Sequence, residues 1–168
     1  QAQFKTRLNF LDLRCRKNLL PLPPRQRPKP AMKLLSPAKL NLYLKVLSRR
    51  DDGFHELETL FERISILDEI YLSTRPSGIR IQTNSKKIPR GPKNLAYRAA
   101  LLIKQECDVP GGVLIRIKKN IPVAAGLGGG SSNAAVVLVG LNELWKLGLS
   151  QKRLLELGAK LGSDVPFF

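Results

Sequence analysis

Residues 121–135 read Ile-Pro-Val-Ala-Ala-Gly-Leu-Gly-Gly-Gly-Ser-Ser-Asn-Ala-Ala, and they constrain the chain more than any other stretch. Gly126, Gly128, Gly129 and Gly130 lack a Cβ, so the backbone there reaches conformations closed to other residues and can approach a ligand closely. Ser131, Ser132 and Asn133 follow, all of them N-cap types, ahead of an apolar run that predicts a buried helix over 134–147. A glycine-rich loop that opens onto a helix N-terminus is an anion site. Its free N–H groups point outward, and the helix dipole favours negative charge. The ligand expected there is the phosphate tail of a nucleotide. The loop is neither of the two common phosphate motifs. A Walker A loop needs Lys and then Ser or Thr after its last glycine, and the dinucleotide fingerprint needs a glycine where Ser131 stands. The remaining alternative, a plain flexible turn, does not account for four glycines in five positions, each with its entropic cost.

Charge narrows the partners. The net charge is +16, which suits nucleic acid, acidic lipid or anionic substrates. Residues 1–30 hold eight Lys and Arg against Asp12 alone, so much of that charge belongs to this segment. Its stretch 20–30 carries five prolines and excludes a regular helix or central strand. Basic, acid-poor and irregular, 1–30 is expected to be a transit-peptide remnant. The folded part is expected to start near Met32, giving one domain over 31–168. No apolar run is long enough to span a bilayer. Cys15 and Cys107 make no disulfide framework and no metal spacing, and a single histidine leaves zinc few ligands.

Periodicity supplies the elements. Leu40, Leu42, Leu44 and Val46 alternate with Asn41, Tyr43 and Lys45, which predicts a strand over 39–47. One or two strands are expected over 57–73 and a short one around Ile79 and Ile81. Asn94 is positioned to cap a helix running to about Glu106. Val113, Ile115 and Ile117 alternate in a strand that feeds the glycine loop. The helix after the loop is expected to stop at Gly148, and Ser150 to cap a last helix ending near Gly162. Trp145 reads as core packing. Strands come mostly first and helices mostly later, so the expected class is α+β.

Three more segments carry chemistry. Ser36-Pro37-Ala38-Lys39-Leu40-Asn41 puts a lysine at the start of a strand. Asp51 to Glu56 holds the only histidine, His55, beside Phe54. Gly162-Ser163-Asp164-Val165-Pro166-Phe167-Phe168 sets one acid between a helix end and an apolar run. A phosphate cradle, a positive charge and a group that takes a proton from the attacking hydroxyl suffice for phosphoryl transfer. Spacing alone does not show that Lys39 and Asp164 meet.

Together with 122–135, these segments resemble the GHMP kinase superfamily, over roughly residues 35–168. Within it they resemble the kinases of the non-mevalonate isoprenoid pathway, which phosphorylate the 2-hydroxyl of a cytidine diphosphate-linked methylerythritol. The resemblance implies a GHMP N-terminal domain, a ribosomal-protein-like fold with helices packed on a mixed or antiparallel sheet. It implies Asp164 as catalytic base and Lys39 as the group that positions the acceptor hydroxyl. A carboxylate beside a lysine stays charged and can accept a proton. Pro122, Ala125, Gly126, Leu127, Gly128, Gly129, Gly130, Ser131 and Ser132 are implied to hold ATP, with Asn94 and Lys119 near its nucleoside. Ser132 is also the implied contact for Mg²⁺. Asn41 is implied to touch the acceptor, and Phe54 and His55 to read the cytosine, with Phe54 standing where the family usually has Tyr. The implied partners are small molecules, with neither nucleic acid nor membrane, in a plastid. The family also has a second domain after the Asp-Val-Pro segment, which this chain does not contain. The alternatives are another GHMP kinase of a small alcohol, or a non-catalytic basic fragment that binds RNA or nucleotide.

Overall fold

A computed structural model describes residues 32–49 and 55–168. The strands are β1 (Met32–Arg49), β2 (His55–Arg75), β3 (Ile79–Thr83) and β4 (Gly112–Lys118), and the helices are α1 (Leu95–Glu106), α2 (Gly129–Leu144) and α3 (Gln151–Leu161). A 3₁₀ turn, Val165–Phe167, follows. The strands form one sheet in the order β1-β2-β4-β3, antiparallel except for the parallel β3–β4 pair. Helix α1 is the crossover that a parallel pair requires.

The core lies between one face of this sheet and the helices. Ile70 and Leu72 of β2, Ile81 of β3 and Val113, Ile115 and Ile117 of β4 meet Ala99, Ile103, Val137, Leu138, Leu141 and Leu157. The period-2 pattern of β4 and the capped start of α1 are as predicted. Asn94 Oδ1 accepts from the Ala96 amide at 2.9 Å, and Ser150 Oγ accepts from the Arg153 amide at 3.3 Å. Trp145 packs against the core. Helix α2 comes unusually close to the sheet. A Cβ on Gly140 would stand 2.4 Å from Leu34 Cδ1 and 2.5 Å from Leu72 Cδ1, so only glycine fits there without displacement.

Two expectations need correction. Helix α2 starts at Gly129, earlier than 134, and its N-cap is Gly128 in the left-handed region (φ 65°). Ser131, Ser132 and Asn133 are therefore inside the first turns and not caps, because Ser132 and Asn133 turn their side chains inward (below). The helix also ends at Leu144 rather than running to Gly148. Lys146 (φ 54°) and Gly148 (φ 68°) take positive φ in the connection that follows.

The second correction concerns β1. It is longer than predicted, and its alternation is interrupted. Register shifts lie between Pro37 and Ala38 and between Asn41 and Tyr43. Beyond the part of β2 that pairs with β4, β1 and β2 continue as a two-stranded arm. Leu42 (60% exposed), Leu44, Val46 (58%) and Leu60 are exposed on it.

Candidate active site

The first register shift in β1 positions the site. Pro37 pairs with Leu67, but Ala38 pairs with Ile64, so Ser65 and Ile66 of β2 are extra. Such bulges bend a strand and re-aim the side chain that follows. Here that residue is Lys39. Its amide donates to Leu127 O at 3.0 Å, which fastens the glycine loop to the strand. Its side chain is 7% exposed, and Nζ donates to Asn41 Oδ1 and lies 4.6 Å from the centre of the Phe61 ring. Nζ is also 3.6 Å from Asp164 Oδ2. The Asp164 side chain is one-third exposed, so the carboxylate is open to a substrate while the lysine is walled in. Residues 125 positions apart in the sequence thus meet.

Asp164 is carried by the turn after α3. The Val165 amide donates to Gly162 O, and the Phe167 amide to Asp164 O. Arg63 of β2 clamps this turn, donating from Nη2 to Phe167 O at 2.7 Å and to Phe168 O at 2.8 Å. Phe61, Phe167 and Phe168 pack in sequence with ring centres 4.9 and 5.1 Å apart, the first pair tilted and the second edge to face. Phe61 and Arg63 were not singled out in the sequence, where an aromatic or arginine in a strand carries no signal of its own.

Beside this pair lies a cleft of about 330 Å³. Pro122, Ala125, Gly126, Leu127, Gly128, Gly129, Gly130, Ser131, Asn94 and Lys119, which the resemblance implied at the nucleotide, all line it. Lys93, not predicted, adds a second lysine to the wall. Ala124 has φ 62°, a strained value for a residue with a Cβ, in the middle of the loop.

Ser132 departs from expectation. It is buried and absent from the cleft wall, and its Oγ lies 2.7 Å from the Ser36 hydroxyl. Ser36 is also 2.7 Å from Asn133 Oδ1. A hydroxyl committed to a buried network is not free for a phosphate or a metal, and Ser131 carries the hydroxyl that stands in the cleft wall. Asn41 stands with Lys39, its Nδ2 reaching Thr59 Oγ1 at 3.4 Å. His55 opens β2 opposite Arg49. Phe54 and the side chain of His55 lie outside the described residues.

The GHMP kinases N terminal domain model matches residues 94–168. A solved 4-(cytidine 5'-diphospho)-2C-methyl-D-erythritol kinase superposes with a TM-score of 0.71 at 47% identity, covering 82% of this chain and 48% of that one. The chain carries a GHMP kinase N-terminal domain. This GHMP domain is 51% identical over 138 residues to the 4-diphosphocytidyl-2-C-methyl-D-erythritol kinase of Citrifermentans bemidjiense, covering 82% of itself and 49% of that relative. It therefore spans about half the length of the curated relatives it matches. A homoserine kinase from Cytophaga hutchinsonii shares the fold at a TM-score of 0.62 but only 22% identity. Among the described residues no helix of the GHMP domain is long and apolar enough to cross a membrane.

Proposed function

We propose that this domain supplies the nucleotide cradle and the proton acceptor of a kinase that uses ATP. The acceptor proposed is 4-diphosphocytidyl-2-C-methyl-D-erythritol, phosphorylated on its 2-hydroxyl. The observation that carries the reading is the Lys39–Asp164 pair, 3.6 Å apart beside a glycine loop that launches a helix. The substrate is taken from the relatives' names, at about half identity over the shared length.

The loop and the N-terminus of α2 hold the β- and γ-phosphates through backbone N–H groups. Lys119, which the resemblance implied near the nucleoside, has its ammonium at the start of α2 instead, and with Lys93 it adds positive charge at the phosphate end. Asp164 accepts the proton as the acceptor oxygen bonds to the γ-phosphorus. The bond from that phosphorus to the bridging oxygen breaks, and ADP leaves. Lys39 holds the hydroxyl in line and offsets the charge of Asp164. Phe61 shields the ammonium of Lys39 from water, which strengthens its field.

No group of three or more His, Cys, Asp or Glu that would hold a resident metal occurs among the described residues. That fits Mg²⁺ arriving on the triphosphate, since Mg²⁺ keeps several waters and needs only one or two protein oxygens. Ser131, in the cleft wall, would offer it a hydroxyl oxygen, and the ion would neutralise phosphate charge. The plastid address rests on residues 1–30 and on the pathway resemblance. Residues 1–30 lie outside the described residues, and the named relative is bacterial.

The test is transfer from labelled ATP to the cytidylated substrate, with free methylerythritol, mevalonate and homoserine as competitors. Transfer confined to the first, and lost in Asp164→Ala, is the expected result. Transfer to mevalonate or homoserine instead would replace the substrate assignment.

A further inference from the structure

Asp68 is fully buried in β2 and plays no part in the transfer step described above, yet its carboxylate accepts three hydrogen bonds at the entry to the loop. One oxygen accepts the amides of Asn120 at 2.8 Å and Ile121 at 2.9 Å, and the other accepts Lys119 Nζ. Both members of the pair are shut away, the Lys119 side chain being 6% exposed and that of Asp68 0%. The ammonium lies against the start of α2, where a Cβ on Gly129 would stand 2.7 Å from Nζ. Asn84 fixes the Lys119 backbone, accepting its amide at 2.8 Å. The side chain of Lys119 is held by the carboxylate.

We propose that Asp68 is a positioning residue for the phosphate cradle, acting through Lys119. The inference rests on the nucleotide reading given above. A lysine beside a helix N-terminus is repelled by the dipole and, when buried, costs free energy unless it is paired. Asp68 removes both penalties and fixes the ammonium at the end of the cleft where phosphate charge arrives. The same carboxylate ties down the first two residues of the loop's lead-in, so the cation and the backbone donors of the cradle share one anchor. Asp68→Asn keeps the shape and one acceptor, but it turns an NH₂ group towards an ammonium, and the lysine loses its place.

The test is equilibrium binding of ATP, inorganic tripolyphosphate and adenosine to the 168-residue chain and to Asp68→Asn, Lys119→Met and the double variant. Asp68→Asn is expected to weaken ATP and tripolyphosphate about tenfold, the value of one charge-assisted hydrogen bond, and to leave adenosine unchanged. In the Lys119→Met background it is expected to change nothing. Equal weakening of adenosine, or weakening that multiplies in the double variant, overturns the proposal and assigns Asp68 to the fold. Unchanged or tighter ATP binding overturns it too. If the unaltered chain binds none of the three, the nucleotide reading itself fails; if that chain binds ATP and Asp68→Asn does not alter the affinity, only this inference fails. Should Asp68→Asn not fold, Asp68→Glu carries the same cycle with the charge kept and the carboxylate moved by one methylene.

Discussion

Gly126→Ala and Gly128→Ala form a matched pair that measures how tightly the glycine loop is pressed onto Lys39. Both glycines take positive φ, 73° and 65°. A Cβ on Gly126 meets nothing within 4 Å, whereas one on Gly128 would stand 2.9 Å from Lys39 Cγ and 3.0 Å from Phe168 Cζ. At Gly126 the cost is conformational only. A left-handed alanine costs roughly 1–2 kcal/mol, partly offset by a less flexible unfolded chain, leaving about 1 kcal/mol. At Gly128 the same term is joined by overpacking of typically about 1–3 kcal/mol, for a total of about 2–4 kcal/mol. For a chain of this size each kcal/mol lowers Tm by about 2–4 °C. Thermal unfolding is therefore expected to show a fall of about 3 °C for Gly126→Ala and a fall two to four times larger for Gly128→Ala. Equal shifts would refute the reasoning, because they would mean that Lys39 and Phe168 do not pack on the loop.

Asp164→Asn keeps the shape of the turn but cannot accept a proton, and kcat is expected to fall by about 10²–10⁴ with ATP binding retained, measured by steady-state kinetics and titration. Asn94→Ala removes the cap of α1 and a 2.7 Å bond from Nδ2 to Pro89 O, and is expected to destabilise by about 1–2 kcal/mol in urea unfolding. Glu69 is held by hydrogen bonds from Lys118, Lys33 and Tyr71, which draw its pKa down from the ordinary 4.5 to about 2. A depressed acid contributes stability above the unfolded pKa and loses it as pH falls through the folded one. Stability is therefore expected to drop between pH 4.5 and about 2, and Glu69→Gln to flatten that part of the acid unfolding curve.

Local chemistry was legible in the sequence wherever a residue acts on its own neighbours. Asn94 and Ser150 announced their helices because a capping side chain bonds two or three residues ahead. Val113, Ile115 and Ile117 announced a strand because one face of it is buried. The same logic misled at Ser131-Ser132-Asn133, whose cap-type side chains suggested a later helix start. Ser132 and Asn133 are instead spent on Ser36, about a hundred residues away, and the left-handed Gly128 begins the helix without a side-chain cap. The interrupted alternation of β1 was likewise invisible, since the bulge that aims Lys39 depends on two extra residues in β2. Ten of the eleven residues expected at the nucleotide line the cleft, through the family resemblance added to the loop. Asp68 was not found, because an acid within a strand gives no sign of a partner 51 positions away.

The bond from the Lys39 amide to Leu127 O joins two parts of the molecule that otherwise report on different events. Most amides in the sheet exchange with solvent only when strands separate. The Lys39 amide is protected by the loop instead, so its exchange rate clocks the lifting of the glycine loop from the strand. One proton, next to the side chain that faces Asp164, thus reads out the opening of the cradle without any label or ligand.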